Sequence, residues 1–302
     1  MPKVEALAAR DWSLTESQRY CRQLARGHYE NFVVASLLLP RRMRQHFYNV
    51  YAYCRWSDDL ADEAPDPSTS LRLLDWWEAE LRACYQGIAR HPVFVALAET
   101  IEIFAIPIEP LARLLTAFRR DQRQRAYASR ADLLDYCTGS ADPVGELILY
   151  LGKCHRDDTL RLSNSICTGL QLANFWQDVA RDWQMGRRYL PDETLRQFGC
   201  DVAVFEQRRA TPEFRAALAA EVEQAQSLLT SGLALVDLVP RELKLDVWLF
   251  AQGGLAVLQK IRDLNYDVWS RRPTVSKWRQ LRMTARGWRL SRTGRLHGRT
   301  AA

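Results

Sequence analysis

From Arg44 to Asp62 the apolar and aromatic residues Phe47, Val50, Tyr51, Cys54 and Leu60 recur at three- and four-residue steps. That spacing lays one side of an α-helix against a core. Similar patterns predict helices over 70–87, 93–104, 109–125, 130–138, 143–152, 157–183, 213–236 and 241–269. Breaks fall at Ala64 to Pro67, near His91 and Pro92, at Ile106 and Pro107, across 126–130, at Asp142 and Pro143, across 185–191, at Thr211 and Pro212, and at Pro240. Proline cannot continue a helix and pushes the residue before it out of the helical region. No alternating polar and apolar run reaches the length of a convincing strand. With no internal repeat and no low-complexity linker, the pattern predicts a single all-α domain.

Composition sharpens that picture. The 302 residues are 47% hydrophobic and 26% charged, which suits a globular protein with a sizeable core. The longest apolar run, Phe32 to Leu39, contains a serine and stops at Pro40; a membrane-spanning helix needs roughly 18 such residues. The first twenty residues carry charges throughout and lack the apolar stretch of a secretory signal. Seven dispersed cysteines without a CxxC pair read as reduced thiols of a cytoplasmic protein. The net charge of +6 is uneven: residues 1–275 hold 34 basic and 36 acidic side chains, whereas 276–302 hold eight basic and none acidic. The expected division is a helical domain over 1–275 and a basic tail over 276–302. Such a tail suits an anionic membrane surface, here the inner membrane, or reads as a solvated chain end. Outside it no basic stripe suggests nucleic-acid binding.

Two stripes carry the candidate chemistry. Tyr51, Arg55, Asp58 and Asp62 stand at i, i+4, i+7 and i+11, one face of a helix. Gln171, Asn174, Asp178 and Asp182 form a second such face. Carboxylates four residues apart repel by a few tenths of a kcal/mol unless a cation lies between them. Oxygen donors of this kind suit Mg²⁺, which shares its shell with water and substrate phosphates. A single stripe reads more readily as an acidic helix end leading into a loop. Two stripes about 120 residues apart can instead clamp a metal–diphosphate cluster between facing helices. Downstream, Gly186, Arg187 and Arg188, and later Arg271 and Arg272, add guanidinium forks that suit phosphate oxygens. No histidine pair has zinc spacing, and there is no P-loop, GxGxxG or GxSxG.

The blocks YAYCRWSDDLADE and QLANFWQDVARDWQMGRRYLP resemble the squalene/phytoene synthase family, from about His28 to Arg272. The resemblance implies an isoprenoid-synthase helical fold around a central cavity. It implies Asp58, Asp62, Asn174, Asp178 and Asp182 as the positions that handle Mg²⁺ and diphosphate. It implies Tyr51, Arg55, Tyr136 and Tyr189 as catalytic positions, and His28, Asn31, Phe32, Gln171, Arg187 and Arg271 as substrate-binding ones.

The departures select a branch. Phytoene and squalene synthases typically carry arginine where this chain has Gln177. The forms ENF at 30–32, SADPVG at 140–145 and NFWQD at 174–178 look like the hydroxysqualene synthases of bacterial hopanoid pathways. That likeness implies presqualene diphosphate and water as substrates, with no NADPH. It also implies functional association with a presqualene diphosphate synthase and a squalene-forming oxidoreductase. Two alternatives stand beside it: a phytoene, squalene or presqualene diphosphate synthase joining two prenyl diphosphates head to head, and a non-catalytic family member acting as an assembly or binding protein.

Overall fold

The computed structural model describes residue 7 and residues 10–27, 41–293 and 296. Fourteen helices lie among them: α1 (Leu14–Gly27), α2 (Arg41–Asp62), α3 (Pro67–Tyr85), α4 (Pro92–Phe104), α5 (Ile108–Asp121), α6 (Arg130–Ser140), α7 (Asp142–Leu151), α8 (Asp157–Gln184), α9 (Asp192–Gln197), α10 (Ala203–Gln207), α11 (Pro212–Gly232), α12 (Leu235–Leu238), α13 (Arg241–Asp263) and α14 (Lys277–Arg292). No strand occurs among the described residues; the sole β-bridge there joins Ala126 and Arg188. The all-α expectation holds, and no described helix is long and apolar enough to cross a membrane.

Three of the prolines that punctuate the sequence open helices. Pro67, Pro92 and Pro212 occupy a first-turn position, where a missing N–H costs nothing. Each follows a side-chain cap: Asp66 accepts from the Thr69 amide at 2.9 Å, His91 Nδ1 from Val93 at 3.3 Å, and Thr211 from Phe214 at 3.3 Å. The expected helix over 213–236 ends at Gly232, and the one over 241–269 ends at Asp263, where Asn265 and Tyr266 turn with positive φ. The basic tail forms α14 over Lys277–Arg292.

The described residues fall into two compact units, one within Met1–Arg123 with Glu146–His155, the other within Gln124–Gly145 with Arg156–Ala302. In the first, α2 packs against α1, α3, α4 and α5. Its centre is Trp77, fully buried, with Phe94 at 4.3 Å and Trp56 at 5.5 Å between ring centroids. The polar groups of Trp77, Ser57 and Tyr53 are satisfied, as burial requires. Trp77 Nε1 donates to Ser57 Oγ, Ser57 to the Tyr53 carbonyl, and the Tyr53 hydroxyl to the Leu111 carbonyl. His91 lies under Trp56, Trp76 and Trp77, and burial pushes its pKa down to about 3.

In the second unit α8 runs against α11 and α13. Contact is close at Gly232, where a Cβ would stand 2.5 Å from Ile166 Cγ1 and 3.0 Å from the Leu162 carbonyl oxygen. Glu221 of α11, fully buried, accepts from Arg130 at 2.8 Å and Thr194 at 2.5 Å. Such a pair is strongly coupled to folding, because removing one partner strands a buried charge. All seven cysteines are free thiols, and burial pushes Cys21, Cys54 and Cys167 up to about 12.

Candidate functional site

The first acidic stripe lies on α2 in the first unit. Tyr51 is buried, Asp58 partly so and Asp62 exposed. Arg55 turns along its own helix and bridges Asp59 at 2.5 Å and Asp58 at 3.6 Å, with Glu63 at 4.0 Å. The guanidinium therefore tethers the motif's acids, while Asp62 presents its carboxyl to the surface one turn further on. The cap at Asp66 closes the following turn and fixes where the stripe ends.

The second stripe lies on α8 in the second unit. Asn174 is exposed, whereas Gln171, Asp178 and Asp182 are partly buried. At Asp178 the helix departs from α geometry (φ −107°, ψ 15°). Burial, then the neighbouring Asp178 carboxylate, pushes the Asp182 carboxyl up to about 7, against the pull of Arg187, Arg181 and Arg272. Two crowded carboxylates with an adjacent amide oxygen are a donor set that a hard cation would stabilise. Among the described residues no three His, Cys, Asp or Glu side chains form a ready cage. Each stripe instead offers a pair of carboxylates, which is the number Mg²⁺ takes when phosphate and water complete its shell. The residues present fit that ion.

The chain after Asp182 is shaped by its helix end. Gly186 takes φ +72°, its amide donates to the Trp183 carbonyl at 3.0 Å, and the Arg187 amide donates to the Asp182 carbonyl at 2.8 Å. This paired closure needs a left-handed residue just past the helix, which glycine adopts without a Cβ clash. It returns Arg187 to the side of Asp182, and both line a small crevice with Phe175, Val179 and Tyr189. The next arginine has a structural role: Arg188 bridges Asp192 at 2.5 Å and donates to the Leu190 carbonyl at 2.9 Å.

An aromatic wall stands beside this crevice. Phe175 stacks on Tyr189 with centroids 3.6 Å apart, and Tyr136 lies 6.2 Å from both. Tyr127, not singled out in the sequence, joins the wall 5.8 Å from Tyr189 and 5.5 Å from Tyr136. Its signal is faint: a lone tyrosine in the break between two helices, pinned there when its carbonyl accepts the Asp192 amide at 3.0 Å.

The arginine pair is split by its surroundings. Both are exposed, and Arg272 clamps Asp178 through Nε at 2.5 Å and Nη2 at 3.0 Å. Gln177, buried against the same segment, donates to the Pro273 carbonyl and accepts from Arg272 at 3.4 Å. Arg272 is thus the member of the pair that reaches the acidic stripe. His28, Asn31 and Phe32 lie outside the described residues.

Residues 25–279 match the squalene/phytoene synthase family. The chain belongs to that family. A solved squalene synthase, HpnC from Alicyclobacillus acidocaldarius, is 45% identical, superposes with a TM-score of 0.81, and is matched over 86% of this chain and 98% of its own. A solved dehydrosqualene synthase is 25% identical with a TM-score of 0.84, over 93% and 98% of the two chains. The phytoene synthase of Thermus thermophilus is 30% identical over 260 residues, 85% of this chain and 87% of that one. The squalene/phytoene synthases are enzymes of isoprenoid biosynthesis that act on prenyl diphosphates and in general depend on a divalent metal.

Proposed function

We propose that this enzyme converts presqualene diphosphate and water to hydroxysqualene and diphosphate, with Mg²⁺ as its metal and no NADPH. The observation that carries this reading is Gln177. Where the head-to-head condensing branch typically has an arginine, this chain has a neutral amide engaged by the Pro273 carbonyl and Arg272. One fixed positive charge fewer beside the stripe suits a site that ionises a single diphosphate. The 45% identity to the solved HpnC chain supports the same branch.

On α2, Asp58 and Asp62 would hold Mg²⁺ through their oxygens, and on α8 Asn174, Asp178 and Asp182 would do the same. The ion would supply Lewis-acid charge to the departing diphosphate. Arg187, and Arg272 once drawn off Asp178, would bind diphosphate oxygens as guanidinium forks. Departure leaves a cyclopropylcarbinyl cation, which Tyr136 and Tyr189 can stabilise through their ring faces. Each such ring contributes on the order of 1–2 kcal/mol when desolvated. The carbon–oxygen bond to diphosphate breaks with its electron pair on diphosphate. A lone pair of water forms the new carbon–oxygen bond after rearrangement, and the proton released passes to diphosphate. Gln171 flanks this face of α8, and Tyr51 and Arg55 complete the first stripe.

Incubation with presqualene diphosphate and Mg²⁺ in heavy-oxygen water, without NADPH, should yield hydroxysqualene carrying the label by mass spectrometry. Farnesyl diphosphate alone should give little presqualene diphosphate; efficient condensation of two farnesyl groups would sink the assignment. The second reading, head-to-head condensation, is favoured by the likeness to the phytoene synthase of Thermus thermophilus. The same farnesyl incubation, repeated with geranylgeranyl diphosphate, identifies it.

A further inference from the structure

The C-terminal helix α14 presents a surface that the catalytic reading does not use. It carries Lys277, Arg279, Arg282, Arg286, Arg289 and Arg292 and no acidic residue. Its seat on the second unit is α13, and the seat is close at Gly287. A Cβ there would stand 2.8 Å from both Leu245 Cδ1 and Trp248 Cζ3. The Gly287 side of the helix is therefore the inward one. At 3.6 residues per turn, Trp278 lies about 180° around the axis from Gly287, with Leu281 and Trp288 within about 80° of Trp278. Exposure agrees with the wheel: Trp278 is 76% exposed, Leu281 60% and Trp288 52%.

An ordinary surface helix turns its large apolar residues to the core; α14 keeps Met283 and Leu290 half-buried but turns Trp278, Leu281 and Trp288 outward with its charges. Arg282, Arg289 and Arg292 fall within about 40° of Trp278 on the same outward side, and the Arg292 guanidinium lies 4.4 Å over the Trp288 ring. Asp263 of α13 accepts from Gln259 at 3.0 Å and pairs with Lys260 at 3.7 Å; these, and more weakly Arg279 of α14, hold its carboxyl low. The outward face is thus cationic and aromatic at once, on a helix too polar to span a bilayer. Tryptophan and leucine settle at the headgroup level while arginines meet lipid phosphates.

The geometry points to α14 as an interfacial helix that docks this enzyme on the surface of an anionic lipid bilayer. Trp278, Leu281 and Trp288 enter the headgroup layer, and Arg282, Arg289 and Arg292 contact phosphate. The docking is independent of which prenyl diphosphate is turned over. It brings a catalyst of water-insoluble products to the phase that receives them.

Sedimentation of the full chain with vesicles tests this directly. Binding to phosphatidylcholine vesicles containing phosphatidylglycerol should exceed binding to pure phosphatidylcholine. It should weaken steadily as salt rises, a reading that needs no variant. Each basic residue near such a surface contributes about fivefold in partitioning. The double reversal Arg282→Glu with Arg289→Glu should therefore lower binding more than tenfold, by about 25-fold. Trp278→Ala with Trp288→Ala should lower it at any lipid charge, with the thermal melt and turnover in detergent unchanged. Equal binding to neutral and anionic vesicles, or full binding by both double variants, would overturn the proposal. So would a concentration-dependent dimer lost in the tryptophan variant, which would make the face a contact with a second copy. Tight binding of duplex DNA that anionic vesicles fail to displace would overturn it as well.

Discussion

Arg271 and Arg272 are adjacent in sequence, and what separates them is a single buried glutamine. Gln177 holds the Pro273 carbonyl and accepts from Arg272, which meets Asp178, while Arg271, also exposed, lies one position further from that contact. The family resemblance points to Arg271 instead, because the direction of a side chain in an irregular segment depends on contacts that lie about 95 positions away. The acidic stripes were legible for the opposite reason: i, i+4 spacing on a helix fixes a common face whatever the tertiary surroundings. Arg272→Ala should lower kcat/KM by more than about tenfold, the scale of one lost charge-assisted contact, while Arg271→Ala stays within about twofold. Steady-state kinetics on whichever prenyl diphosphate is turned over separates the two, and equal losses would return Arg271 to the site.

Among the elements, most long helices were readable, whereas α1, at 14 residues, and the short ones were not. α2, α3, α4 and α8 carry periodic apolar faces over three or more turns. α9, α10 and α12 span six residues or fewer, too short for periodicity to register. Helix α14 was hidden because its apolar residues are split between the two sides and its charges dominate the composition. Packing between elements rests on small residues that composition alone leaves unexplained. Gly232→Ala would drive a methyl against Ile166 and Leu162 and should cost about 1–3 kcal/mol. Gly253 of α13 is the control, since a Cβ there would meet no neighbour within 4 Å among the described residues. At that position alanine should raise stability by about 0.5–1 kcal/mol through backbone entropy and helix propensity. Urea melts of the two variants should move in opposite directions.

Away from the acidic stripes, two buried ionisable groups bias the pH dependence of folding in opposite senses, beside the raised carboxyl of Asp182. Asp246 of α13 is 5% exposed, both its oxygens lack a partner among the described residues, and burial pushes its pKa up to about 8. Between about pH 4 and pH 8 the unfolded chain has released a proton that the folded state keeps, so stability falls as pH rises. His91 works in the other sense. Between pH 6.5 and about 3 the unfolded chain takes up a proton that the folded state refuses, so stability falls as pH drops. The two slopes oppose each other between about pH 4 and 6.5 and leave a net decline toward pH 8. Asp246→Asn should therefore raise the unfolding free energy from urea melts at pH 8, by on the order of a few kcal/mol. The gain should shrink toward pH 5; a gain independent of pH would show that Asp246 is ionised throughout. The sequence held a hint of this residue, a lone acid between Leu245 and the apolar run from Val247 to Phe250, which reads as an ordinary helix position until its burial is known.

The seven thiols acquire a further use from their placement. Cys21, Cys54, Cys84 and Cys154 lie in the first unit, Cys137, Cys167 and Cys200 in the second. With Cys21, Cys54 and Cys167 held at about 12, hardly any thiolate exists in the closed state, and the thiolate is the reactive form. Each of these sulfurs therefore waits for its own helix to open. An alkylating reagent followed site by site becomes a clock for local opening, with one set of hands in each unit of the molecule.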